Sequence, residues 1–152
     1  MDAHSILVVE DNPDDQVLTI RALKSASENS PVIVLEDGQE ALNYLFGDEA
    51  GHSCRNLDSL GVVLLDVKLP KVSGLEVLKQ IRCSPRTNWL PVVMVTSSDE
   101  PADLLDAYRL GANSFITKQI NYREFTEQMT VLARYWLQIN KVPKAGSAPS
   151  IG

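Results

Sequence analysis

Short apolar runs alternate along the chain with stretches whose apolar residues recur every three or four positions. The runs fall at residues 6–9, 32–35, 62–65, 91–95 and 114–117. Continuous apolar runs of this length, set off by Gly, Pro and polar residues, predict strands buried on both faces of a parallel sheet. Between them a helical period carries Val17, Ile20 and Leu23, then Ala41, Leu42 and Leu45, then Leu75, Leu78 and Ile81, then Leu104, Leu105 and Tyr108. A last stripe of Phe125, Met129, Leu132, Trp136 and Ile139 predicts one more helix packed on the sheet by that face. Asn12 suits an N-cap and Pro13 a first helical position, while Gly111 suits a helix stop. Strands alternating with helices in this way imply an α/β, doubly wound parallel sheet of five strands with five helices.

The pattern lapses over residues 47–61, which read as a long surface loop around His52 and Cys54. Two possible ligands in a loop are too few for a metal site, so both are expected to be solvated. Residues 1–140 are expected to form one domain, and 141–152, rich in Pro, Ala, Ser and Gly, a flexible tail. The 152 residues carry a net charge of −6, which argues against non-specific binding to nucleic acid or an anionic membrane. Two cysteines outside any metal or redox spacing, no basic leader and no membrane-length apolar run predict a soluble, cytoplasmic protein.

Candidate chemistry sits at the ends of the strands. Glu10 and Asp11 follow the first, Asp66 the third, Thr96 the fourth and Lys118 the fifth. A carboxylate ending a buried strand is costly unless water, a metal or a partner reaches it. Alone, Asp66 would be read as capping a turn. In open parallel sheets, however, the binding crevice lies outside the carboxyl ends of the strands, so these residues share one edge. Three crowded carboxylates repel unless a cation neutralises them, and oxygen ligands with room for water and phosphate suit Mg²⁺. Lys118 and Thr96 supply donors for a phosphoryl group, and a carboxylate between Mg²⁺ and a lysine can act as its nucleophile.

The segments LVVEDN, VVLLDVKLPKVSG, VVMVTSS and LGANSFITK carry these residues, and with them the chain resembles a response-regulator receiver domain over about residues 5–140. The resemblance implies a flavodoxin-like strand order 2-1-3-4-5 and phosphotransfer from a sensor histidine kinase to Asp66. It implies Mg²⁺ held by Asp11, Asp66 and the backbone carbonyl of Lys68, with Glu10 helping through water. Thr96 would hydrogen-bond the phosphoryl group, Lys118 would pair with it, and Phe115 would be the aromatic switch. The long loop and the ending Arg134-Tyr135-Trp136-Leu137 are similar to the stand-alone regulators of bacterial phytochromes. The resemblance then implies no enzymatic activity beyond the protein's own phosphotransfer and dephosphorylation.

Departures from the family pattern shape further expectations. Glu10 stands where Asp is more usual, reaching one methylene further. Gln119 follows Lys118 where the family usually has a cis Pro; a cis non-proline bond costs roughly 3–4 kcal/mol, so a trans bond and a shifted loop are expected. Phe115 lacks the hydroxyl of a Tyr. Lys68 is expected at the rim of the site, where it would tune phosphate lifetime. With no output domain read from the chain, its signal is expected to pass to an unknown downstream protein or to a second copy, a homodimer through the last two helices and fifth strand, with Val131 and Tyr135 off the packed stripe as contacts.

Rival functions fit less well. A phosphatase of the haloacid-dehalogenase class needs an acid two residues after its nucleophile, where Lys68 stands. A dinucleotide-binding domain needs a glycine-rich turn, and Glu10-Asp11-Asn12-Pro13 has none. A DNA-binding regulator needs an output domain. A receiver-like protein-binding module that is never phosphorylated stays open as the alternative, and intact Asp66, Thr96 and Lys118 weigh against it.

Overall fold

The computed structural model describes residues 4–47 and 57–143. Its elements alternate as expected: β1 Ser5–Val9, α1 Pro13–Ala26, β2 Val32–Leu35, α2 Gly38–Phe46, β3 Leu60–Leu65, α3 Gly74–Cys83, β4 Val92–Thr96, α4 Pro101–Arg109, β5 Ser114–Thr117 and α5 Tyr122–Arg134. The strands form one parallel sheet in the order β2-β1-β3-β4-β5, so the doubly wound α/β fold is observed. The central strands β1, β3 and β4 are buried throughout, and the edge strands β2 and β5 are only partly so.

Side chains alternate across each buried strand and build two cores. Ile6, Val8, Val62, Leu64, Val93 and Val95 face α1 and α5, meeting Leu23, Phe125 and Met129. Leu7, Val9, Val63, Leu65, Val92 and Met94 face the other helices, meeting Leu45, Leu78, Ile81 and Ala107. The continuous apolar runs follow from this double coverage.

Helix starts agree with their chemistry. Asn12 caps α1, its Oδ1 accepting from the N–H groups of Asp14 and Asp15 at 2.9 and 3.1 Å, with Pro13 in the first turn. Asp37 and Ser73 cap α2 and α3 in the same way. Gly74 opens α3 hard against the third strand: a Cβ there would lie 1.8 Å from the backbone oxygen of Asp66. Only a residue without a side chain lets α3 begin so close to that strand end.

Two boundaries differ from the expectation. β3 begins at Leu60, so Gly61 lies inside the strand rather than before it; its early residues pair with β1, where Ser5 opposes Leu60. The last stripe does not run through to Ile139. After α5 the chain makes a single π turn over Tyr135–Ile139, whose wider spacing breaks the helical phase. Trp136 and Leu137 still pack on the core, and Ile139 is 66% exposed. Of the expected loop 47–61 and tail 141–152, residues 48–56 (with His52 and Cys54) and 144–152 lie outside the described residues. Among the described residues no helix is long and apolar enough to cross a membrane.

Arg82 fastens two connections, α3 to β4 and α4 to β5. Its guanidinium donates to the carbonyls of Gly111 and Leu90 at 2.8 and 2.7 Å and to Asn113 Oδ1 at 2.8 Å. Asn113 Oδ1 in turn accepts the N–H of Val92, the first residue of β4. Removing the guanidinium strands partly buried carbonyls. Arg82→Ala is therefore expected to lower unfolding stability by about 2 kcal/mol in urea titration with an unchanged m value; a loss within about 0.5 kcal/mol would contradict the fastening role.

Candidate functional site

Register and alternation bring the strand-end residues together. Val9 pairs with Leu65, so Glu10 and Asp66 leave the sheet side by side. Their N–H groups are still held, Glu10 by the carbonyl of Leu35 at 3.0 Å and Asp66 by that of Val9 at 3.2 Å. Glu10, Asp66 and Lys118 continue the alternate positions of Val8, Leu64 and Ile116, which face α1 and α5. Thr96 continues that of Met94, on the opposite face, where Phe115 also packs. The same period that builds two cores thus sorts the polar residues into a charged group and a hydroxyl–aromatic pair.

The charged group closes on one ammonium. Lys118 Nζ donates to Asp66 Oδ2 at 3.0 Å, to Asp15 Oδ2 at 2.9 Å and to Glu10 Oε1. Its side chain is 10% exposed, against 6% for Glu10 and 9% for Asp66. Asp66 Oδ1 accepts the N–H of Lys68 at 3.2 Å, and Glu10 Oε2 accepts that of Asn12 at 3.0 Å. Gln16 pins the Glu10 carbonyl from α1. Every buried oxygen of this group for which a partner is described is thus held by an N–H donor, as burial demands.

The group holds more negative charge than Lys118 can balance. Burial pushes the Glu10 carboxyl up to about 7, against the pull of Lys118 and the Asn12 N–H, with Asp66 adding repulsion. Burial works to discharge Lys118, but the hydrogen bond to Glu10, the charge of Asp66 and the hydrogen bond to Asp15 outweigh it and hold the ammonium above the ordinary lysine value. Carboxylate oxygens of Glu10, Asp11 and Asp66 lie within 4.8 Å of one another. An all-oxygen set with exposed Asp11 on its open side fits a hard divalent cation that keeps some of its water.

The remaining expected residues fall around this group. Thr96 is 1% exposed, and its Oγ1 accepts the N–H of Ser98 at 3.1 Å. Phe115 lies beside Met94, partly buried. Lys68 stands at the rim, its side chain 67% exposed and its ammonium 3.7 Å from Glu100 across the mouth. The bond before Gln119 is trans, there being no cis peptide among the described residues. Sequence reasoning missed Asp15. Its signal was present in the acidic first turn of α1, but that turn reads equally as helix-dipole chemistry.

Comparison with known proteins follows the same lines. A model of the response regulator receiver domain matches residues 6–130. The chain is 38% identical over 142 residues to the probable methanogenesis regulatory protein FilR2 of Methanothrix harundinacea, covering 93% of this chain and 89% of that one. It is 31% identical to the response regulator Rcp1 of Synechocystis, over 92% of this chain and 93% of that one. The Mn²⁺-bound crystal structure of Rcp1 superposes with a TM-score of 0.84, covering 92% of this chain and 99% of that one. The phosphorylated cyanobacterial phytochrome response regulator RcpA superposes with a TM-score of 0.85 at 31% identity, over 93% and 99% of the two chains.

Proposed function

The chain belongs to the response-regulator receiver family, and we propose that it is a single-domain regulator over residues 1–140 that takes a phosphoryl group on Asp66 from a sensor histidine kinase. The juxtaposition of Asp66 with Lys118 at 3.0 Å and with Glu10 and Asp11 within 4.8 Å carries this assignment. A phytochrome-type kinase is the donor we favour, because RcpA, a cyanobacterial phytochrome response regulator, is similar along nearly its whole length. Such regulators signal by changed binding, and the only chemistry we assign is the protein's own phosphotransfer and dephosphorylation.

Asp66 attacks the phosphorus of a phosphohistidine in line; the O–P bond forms as the N–P bond breaks, and the imidazole leaves with its electron pair. Asp66 is held for this by the Lys68 N–H on one oxygen and Lys118 on the other. Glu10, Asp11, Asp66 and the Lys68 carbonyl would hold Mg²⁺, which supplies charge neutralisation in a transfer that demands mainly positioning and electrostatics. Lys118, 3.0 Å from Asp66 Oδ2, would meet the developing negative charge. The phosphorylated side chain carries about −2 at neutral pH. Thr96 turns its hydroxyl from the Ser98 N–H to the phosphoryl oxygen, and Phe115, on the same face of the sheet, moves into the space released.

The changed surface then includes α4, β5 and α5. Val131 and Tyr135, 67% and 45% exposed, line one shallow groove with Ile116, Gln119 and Gln128. We propose that a second copy of the chain covers it, with an unidentified downstream protein reading the result.

Incubation with Mg²⁺ and acetyl phosphate is expected to add one phosphoryl mass to the wild type and none to Asp66→Asn, read by intact mass spectrometry. An adduct on both proteins, or on neither, sinks the assignment. Lys68→Ala, which opens the mouth to water, is expected to speed dephosphorylation about threefold or more; an unchanged decay removes Lys68 from phosphate lifetime. Sedimentation should give a dimer that Tyr135→Ala weakens, whereas a monomer at high concentration, with or without the phosphate mimic beryllofluoride, excludes the pairing.

A further inference from the structure

The three hydrogen-bond donors of Lys118 are each taken by a different carboxylate, and the three carboxylates are not equivalent. Glu10 and Asp66 also belong to the oxygen set that fits a divalent cation, together with Asp11. A cation drawing on these two carboxylates competes with Lys118 for the same negative charge. Asp15 stands outside that set, 2.9 Å from the ammonium and with no other side-chain partner among its described bonds. Its backbone is part of the first turn of α1. Asn12 caps that turn at the Asp15 N–H, and Pro13 restricts its entry.

We infer that Asp15 is the positioning residue that keeps Lys118 aimed at Asp66 when Glu10 and Asp66 turn to the metal ion and the phosphoryl group. Lysine is a compact charge on a flexible stem with rotatable donors, so its direction comes from its partners. In the resting protein three partners share that task. With the cation bound, Asp15 alone holds the ammonium from outside the metal set, leaving its other donors free for phosphoryl oxygens. This rests on Asp66 as the phosphoacceptor, and it assigns a function to an acid that otherwise only adds charge.

The opposite effect is physically open, which makes the sign informative. A fourth carboxylate near an incoming phosphate repels it. If that repulsion were the dominant role of Asp15, neutralising it would speed phosphorylation. If Asp15 orients Lys118, neutralising it slows the reaction.

Asp15→Asn keeps the shape and removes the charge. With saturating Mg²⁺ and acetyl phosphate it is expected to phosphorylate about tenfold more slowly than the wild type, as loss of orientation in a transfer step does. An unchanged or faster rate overturns the inference. The Lys118 ammonium provides a second readout that needs no phosphate: its ¹H–¹⁵N signal, assigned by its loss in Lys118→Arg. In the wild type that signal is expected with and without Mg²⁺. In Asp15→Asn it is expected without Mg²⁺, where Glu10 and Asp66 still hold the ammonium, and broadened away once Mg²⁺ is added. A signal that survives Mg²⁺ in the variant, or that the wild type loses, overturns the inference. Failure of the wild type to accept phosphate would instead count against Asp66, and the ammonium result would stand apart from it.

Discussion

Everything at the functional edge depends on one ammonium set among more carboxylates than it can neutralise. Placing Glu10 and Asp66 beyond adjacent, paired strand ends puts two acids side by side in a partly desolvated crevice, and α1 adds Asp15. Charges so placed are tolerable only when paired and hydrogen-bonded, which is why Lys118 must reach back from the far strand of the sheet. Taking Lys118 out of that arrangement would leave like charges facing one another with no compensation. The site is therefore held together by that one ammonium. Burial, with a smaller push from Asp66, raises the Glu10 carboxyl to about 7, and a divalent cation would favour its charged form.

Much of this was legible in the sequence because parallel strands covered on both faces leave almost no polar interruption to misread. The five runs gave the sheet, and the abrupt change to Glu10, Asp66, Thr96 and Lys118 gave its functional edge. What escaped was non-local or a matter of backbone phase. Gly61 reads as a boundary until Leu60 before it is seen to pair with Ser5 of β1. Ile139 keeps helical spacing in the sequence, yet one π turn carries it off the packed face. Asp15 meets Lys118 across 103 residues of chain, and no local pattern announces a contact at that separation. An acid in the first turn of a helix already has a sufficient local explanation, and that explanation hid the second one.

The alternation that builds two cores also separates two tasks. Glu10, Asp66 and Lys118 follow the face packed by α1 and α5, whereas Thr96 and Phe115 follow the face packed by α2, α3 and α4. Charge is thus gathered on one side of the sheet edge, and the hydroxyl and the aromatic ring lie on the other.

Gly74 gives this arrangement its fixed point. Because α3 starts so close to the backbone oxygen of Asp66 that no side chain fits between them, the main chain under Asp66 has nowhere to retreat. It acts as an anvil. The strand beneath the Asp66 side chain is thereby backed by the start of a helix. The absence of a single methyl group at Gly74 thus sets the floor of the site, at a position that lends it no polar side chain.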